Sequence, residues 1–281
     1  MPKTSRRRMV MQAAGIGAGV VQSRGWGAQA DAERVWRQFI AWLGTIPPND
    51  NPGSLLRDYR AHVVAGGTSA AEADGQLKVV MEMMRTREDG WQQIFNQIYA
   101  AGNPGFSVKP NGLLMTAVEG RKPGRALDVG MGQGRNSVFL AIRGWDVTGF
   151  DVSDEGLNIA RRNAAAAGVR INAVQKSNSN FDYGTAQWDL IVITYEPFPV
   201  TDQGYVQRIW NSLRSGGLLV VESFASDKSA AQRKPVDIDP AELLWAVQSS
   251  SFRIIRFEDV EAVSDWSLDK TRLARLLAQK K

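Results

Sequence analysis

Three glycines at alternate positions follow a short apolar run in Ala126-Leu127-Asp128-Val129-Gly130-Met131-Gly132-Gln133-Gly134-Arg135-Asn136. This segment constrains the fold more than any other. Ala126 to Val129 predicts a buried parallel strand, 137–142 an amphipathic helix, and 145–150 a second strand. Glycines at 130, 132 and 134 permit positive φ and remove the β-carbons, so a ligand can lie against the backbone at the strand-to-helix turn. Asp151, in Val147-Thr148-Gly149-Phe150-Asp151-Val152-Ser153, stands at the tip of the second strand, placed to accept two hydrogen bonds from a ribose diol. Together these residues read as a nucleotide pocket. A dinucleotide loop of the form G-x-G-x-x-G would need glycine at 135, where this chain has Arg135.

From 110 onward strand and helix patterns alternate over 125–129, 136–143, 146–150, 154–167, 170–175, 188–193, 203–214 and 217–223. Repeated βα units with Val/Ile/Leu-rich strands predict an α/β fold with a doubly wound, mostly parallel sheet covered on both faces. Pro240 to Gln248 then reads as a helix, Arg253 to Glu258 as a strand and Leu268 to Ala278 as a terminal helix. Residues 31–105 read as helices. Val35, Trp36, Phe39, Ile40 and Leu43 form one stripe, and Trp91, Ile94, Phe95, Ile98 and Tyr99 another. Ser54 and Ser69 are candidate N-caps. Such stripes are usually core; the other reading makes part of this segment a lid over the ligand. The expected division is a leader over 1–30, a helical region over 31–109 and the α/β domain over 110–281.

The run DVGMGQGRN, with FDVS downstream and Leu213-Arg214-Ser215-Gly216-Gly217-Leu218-Leu219-Val220-Val221-Glu222 later, resembles the class I S-adenosylmethionine-dependent methyltransferases over roughly residues 106 to 277. Within them it looks closest to the small-molecule and tellurite-resistance-type branch. The resemblance implies a Rossmann-like seven-stranded sheet whose last two strands form an antiparallel edge, an N-terminal helical cap, and S-adenosyl-L-methionine as cofactor. It implies cofactor contacts from Asp128, Gly130, Gly132, Gly134, Arg135 and Asn136, from Asp151, Val152 and Ser153, and from Thr194. After the third strand the family carries an Asp facing the adenine amino group, whereas Ser177 or Asn178 occupies that place here. An amide oxygen accepts such a bond less strongly than a carboxylate. Thr194-Tyr195-Glu196-Pro197-Phe198-Pro199 falls where the family's motif faces the transferred methyl group. Tyr195 is expected to line that site, with Glu196 as general base if the acceptor carries a proton.

The implied activity is methyl transfer to a small molecule by in-line displacement, in which positioning and desolvation are the enzyme's main contributions. No Asn-Pro-Pro-Tyr type sequence follows the fourth strand, which argues against amino methylation of nucleobases. Two other function classes stay open. One is a non-catalytic exported binding protein that keeps the fold. The other is an NAD-dependent oxidoreductase, disfavoured by Arg135 and by the lack of a Tyr-x-x-x-Lys dyad.

Composition closes several further routes. The net charge of +5 comes from Lys3, Arg6, Arg7, Arg8 and Arg24; the rest of the chain balances 29 basic against 29 acidic residues. The charge is therefore no argument for nucleic acid or an anionic membrane as partner. With no cysteine there is no disulfide and no thiolate chemistry, and a lone histidine, His62, completes neither a serine hydrolase nor a histidine metal site, so no metal is expected. Ser5-Arg6-Arg7-Arg8-Met9-Val10-Met11, a Gly/Ala-rich run too short to span a bilayer, and Ala28-Gln29-Ala30 together fit a twin-arginine export signal, predicting a periplasmic protein that matures near Ala30; the other reading is a basic tail or a start at Met9 or Met11, with the leader unused and the protein cytoplasmic. N-terminal sequencing of the mature protein checks this, and an intact leader contradicts it. The oligomeric state is not encoded in any of these patterns.

Overall fold

The computed structural model describes Gln29 and residues 31–48, 52–102, 106–228, 236–266 and 269–281. Apart from Gln29, the expected leader lies outside the described residues. The chain divides into two compact units: the first ends at Arg87, and the second begins at Glu88 and also takes in Pro47 and Pro48.

The first unit is helical: α1 over 31–43, α2 Pro52–Ala65 and α3 Ala70–Thr86. Its core is aromatic, with Trp36, Phe39, Leu43, Leu55 and Tyr59 buried and the Phe39 and Tyr59 rings edge-to-face at 5.0 Å. Ser69 caps α3 through the Glu72 amide, as the sequence predicts. Ser54, expected as a cap, lies inside α2, which starts two residues earlier at Pro52; proline at a first turn forfeits no helical hydrogen bond. His62 is exposed in the last turn of α2, beside the Trp42 ring.

The second unit carries α4 Glu88–Ala100, α5 Gly112–Val118, α6 Arg135–Ile142, α7 Asp154–Ala166, α8 Gln203–Ser212 and α9 Pro240–Ser249. Its sheet contains β1 Arg125–Val129, β2 Asp146–Asp151, β3 Asn172–Gln175, β4 Trp188–Thr194, β5 Leu213–Ala225, β7 Phe252–Val263 and β8 Lys270–Lys280, with the two-residue β6 Asp237–Ile238 beside β5. The order is β3-β2-β1-β4-β5-β8-β7. β1 to β5 run parallel, and β8 is antiparallel to both its neighbours. One face buries Leu127, Ile191, Leu219 and Leu276; the other buries Ala126, Val192, Val220 and Leu277. This is the expected α/β architecture, buried on both faces.

The last segment departs from expectation. Leu268 to Ala278 reads as a helix because Leu, Ala, Arg and Lys are all good helix formers, yet Lys270–Lys280 is β8, inserted between β5 and β7. Leu273, Ala274, Leu276, Leu277 and Ala278 are all buried there. Without β8, the 13-residue β5 would leave a row of backbone groups unpaired at a buried edge, and that demand outweighs local propensity. Helix α5, capped by Asn111 through the Leu114 amide, has no counterpart in the sequence pattern.

Topology positions the site. From β1 the chain winds outward through β2 and β3 and then returns to β4 on the other side of β1. The carboxyl ends of β1, β2 and β4 therefore border the crevice at the switch point, where open α/β sheets bind ligands.

Candidate functional site

Gly130, Gly132 and Gly134 all have positive φ, at +64°, +49° and +79°, but they serve different ends. A β-carbon on Gly130 would lie 2.5 Å from a Glu196 carboxylate oxygen, and one on Gly132 would overlap the Tyr99 hydroxyl; both positions open into the crevice. A β-carbon on Gly134 would instead meet the Ala160 β-carbon at 2.8 Å. The third glycine thus lets the loop pack against α7, while the first two leave a bare backbone cradle.

Asp151 ends β2 beside that cradle. One carboxylate oxygen accepts the Gly132 amide at 2.8 Å and the other accepts the Ser153 amide at 2.8 Å. Burial pushes its carboxyl above the usual range, opposed by the amides of Ser153, Gly132 and Val152. Each oxygen keeps acceptor capacity for a further donor. Val152 lines the crevice. The Ser153 hydroxyl is spent capping α7 through the Gly156 amide and donating to Asn96 on α4.

Asp128 lies behind the loop and does not line the crevice. It accepts the Ser137 hydroxyl at 2.6 Å, tying β1 to the first turn of α6. Burial raises its carboxyl to about 6, against the lowering effects of the Ser137 bond and the Arg135 charge. The folded value lies above the ordinary 3.8, so the unfolded chain releases this proton first as pH rises. Stability from this group is present at low pH and lost between about pH 4 and 6, a loss on the order of 3 kcal/mol. Asp128→Asn cannot ionise. In urea denaturation its unfolding free energy relative to wild type should therefore improve by about that amount between pH 4 and pH 7; a difference that is flat with pH would refute the assignment.

Behind the crevice lies a buried polar network. Asn136 accepts the Asn111 amide and donates to the Thr194 hydroxyl. Glu222, 1% exposed on β5, accepts from Asn111 at 2.9 Å, from Arg275 at 2.6 Å and from the Tyr195 hydroxyl at 2.5 Å. The Arg135 guanidinium pairs with the Asp265 carboxylate at 2.8 Å and donates to the carbonyls of Lys109 and Asp265. Arg135 and Asn136 therefore clamp the β7–β8 turn and the 107–111 loop, though both also border the crevice.

Tyr195, at φ +57°, directs its hydroxyl to Glu222 and offers the crevice its ring. Burial, with the Glu222 charge next, raises its hydroxyl well above the usual range, so it stays a neutral phenol and supplies no phenolate base at neutral pH. Trp266 at the β7–β8 turn stacks on Tyr195 at 5.7 Å and on Phe106 at 4.8 Å, and Tyr99 meets Phe106 edge-on. The sequence reading misses the role of Trp266 in the site, as it does those of Phe106, Asn111, Glu222 and Arg275. Tyr99 and Phe95, read as core or lid, line the crevice from α4, in the same compact unit.

Ser177 and Asn178 stand apart from these residues. The Asn178 side-chain oxygen accepts from the hydroxyls of Tyr183 and Tyr205, and its nitrogen donates to the Pro197 carbonyl. The Ser177 hydroxyl bonds Ser179. The Asn178 amide thus binds the loop to α8 and to the 195–199 segment, so it is already committed and not open to an adenine amino group.

The space left in the crevice is about 60 Å³, whereas small-molecule pockets run from about 300 Å³ upward. The Tyr99 hydroxyl and the Glu196 carboxylate fill the glycine cradle, so a nucleoside-sized ligand enters only when both turn aside. Both are tips of rotatable side chains, one on a helix and one on a loop.

This fold, with its glycine cradle after β1 and carboxylate at the end of β2, is that of a class I methyltransferase. Residues 126–217 match the family model described as a methyltransferase domain. The chain is 41% identical over 61 residues to the ribosomal RNA small subunit methyltransferase C of Alcanivorax borkumensis, covering 21% of this chain and 19% of that protein. It is 38% identical over 68 residues to the ubiquinone biosynthesis O-methyltransferase of Shewanella pealeana, covering 24% and 29%. The chain spans less than a third of the length of either relative. The crystal structure of TehB from Haemophilus influenzae aligns with a TM-score of 0.52 at 19% identity, covering 61% of this chain and 62% of that one.

Proposed function

We propose that this protein transfers a methyl group from S-adenosyl-L-methionine to a small-molecule acceptor. The observation that carries the reading is Asp151, a buried carboxylate fixed by two loop amides beside two glycines whose missing β-carbons leave a cradle. When bound, the cofactor supplies an electrophilic methyl group on a sulfonium. Gly130 and Gly132 would hold it against bare backbone, and Asp151 would accept from its ribose hydroxyls. The stacked rings of Tyr195 and Trp266, which border the crevice, exclude water from that end of it. Asn136 and Thr194 act behind the cradle, holding the loop to β4. Turned out of the cradle, the Glu196 carboxylate would take a proton from a protic acceptor. Since Asn178 is engaged elsewhere, binding rests on the ribose and sulfonium end more than on the adenine amino group.

Thermal unfolding of the purified protein with S-adenosylmethionine, S-adenosylhomocysteine or NAD tests the reading, because a ligand that binds only the native state raises the transition temperature. The first two should raise it and NAD should not. A shift with NAD alone would overturn it.

A further inference from the structure

On the methyltransferase reading, we propose that Tyr99 occupies the cofactor's own seat as an autoinhibitory contact, holding the free protein closed, so that removing its ring tightens cofactor binding.

Two glycines on separate elements are bare where this one side chain lies. A β-carbon on Gly132 in the loop would overlap the Tyr99 hydroxyl, and one on Gly156, in the first turn of α7, would stand 2.8 Å from a carbon of the Tyr99 ring. The phenol thus reaches from α7 to the loop, across the backbone that a ligand must approach. Phe95 and Phe106 flank it, with ring centroids at 6.3 and 5.8 Å, and it is only 8% exposed. About 60 Å³ remains in the crevice beside it, so the ring and a nucleoside exclude one another. A lid would close over a bound ligand; Tyr99 takes the ligand's place.

The neighbouring bonds define what must move. Asn96, one turn earlier on α4, donates to Asp154 and accepts the Ser153 hydroxyl, both at 2.7 Å, which fastens α4 to α7. Tyr99 lies beyond that fastening in the last turn of the helix, and the chain leaves at Gly102, whose φ is +81°. The ring can therefore swing out through that turn or its own rotamer while the body of α4 stays in place. Glu196, the other occupant of the cradle, loses less on leaving, because a carboxylate gains hydration in water whereas an apolar ring gives up its cover. Tyr99 accordingly sets the open fraction, and apparent affinity falls in proportion to that fraction.

The test is the calorimetric affinity of the full chain for S-adenosylhomocysteine, with urea denaturation run on each variant to establish that it is folded. Tyr99→Ala should bind at least roughly fivefold tighter than wild type. Tyr99→Phe keeps the ring over Gly156 and loses only the hydroxyl over Gly132, so it should gain less. Phe95→Ala, which opens space from the same helix without clearing Gly132 or Gly156, should not tighten binding. If Tyr99→Ala does not fold, Tyr99→Leu, too short to reach Gly132, replaces it with the same expectation. Binding by the Ala or Leu variant equal to or weaker than wild type overturns the proposal, as does equal tightening in Phe95→Ala; either result leaves the methyltransferase reading standing. Binding by the Tyr99 variants but not by wild type supports the proposal in its strongest form. Absent binding by all of the folded proteins removes the methyltransferase reading and the proposal with it.

Discussion

Gly132→Val is expected to abolish S-adenosylhomocysteine binding, with affinity falling by roughly a hundredfold or more, about 3 kcal/mol, while the sheet stays folded. The added branched side chain would occupy the space where the Tyr99 hydroxyl now sits, against the backbone that a ligand must approach. Its φ of +49° is in the left-handed region, so the folded state bears strain of order 1–3 kcal/mol, not enough to unfold a typical domain. Gly134→Ala should do the reverse. Its β-carbon would press on Ala160 of α7, 2.8 Å away, and its φ of +79° disfavours any side chain. Left-handed strain and overpacking together should cost about 2–4 kcal/mol of stability, and the fraction that folds should bind nearly normally. Urea denaturation and calorimetry on both variants separate the two outcomes. Loss of binding without loss of stability in Gly134→Ala would show that the third glycine, too, faces the ligand.

That division of labour among the glycines could not be read from their spacing. Positions 130, 132 and 134 look equivalent in the sequence, and only the approach of α7 distinguishes the last. The strands were legible because buried parallel strands need unbroken apolar runs, as in Leu190-Ile191-Val192-Ile193. The segment 270–280 was not, because its composition favours a helix and its strand state is imposed by the edge of β5. The glycine loop and Asp151 were legible for a related reason: they are local, fixed by two consecutive strands and the turn between. The aromatic stack is non-local. Phe106, Tyr195 and Trp266 meet only because β8 carries the hairpin turn back over the carboxyl end of β4. Asn178 shows the opposite case, a residue at the expected position whose side chain is consumed by Tyr183 and Tyr205. A sequence position specifies where a side chain starts, not which neighbours claim its hydrogen bonds.

Asp151→Ala bears most directly on the account as a whole. The carboxylate is held by the amides of Gly132 and Ser153, and on the proposed reading it also accepts from both ribose hydroxyls. Charge-assisted bonds are worth about 1.5–3 kcal/mol each before water replaces them. Burial already disfavours its ionised form, so removing it relieves that cost while freeing two loop amides, and the fold should survive. Asp151→Asn, which keeps one oxygen acceptor and the shape but not the charge, should fall between wild type and Ala. The decisive measurement is the calorimetric affinity of the wild-type protein and the Asp151→Ala variant for S-adenosylhomocysteine. The account predicts binding by the wild type and at least roughly tenfold weaker binding by the variant, about 1.4 kcal/mol or more, with both proteins folded; equal affinity in the two would contradict it.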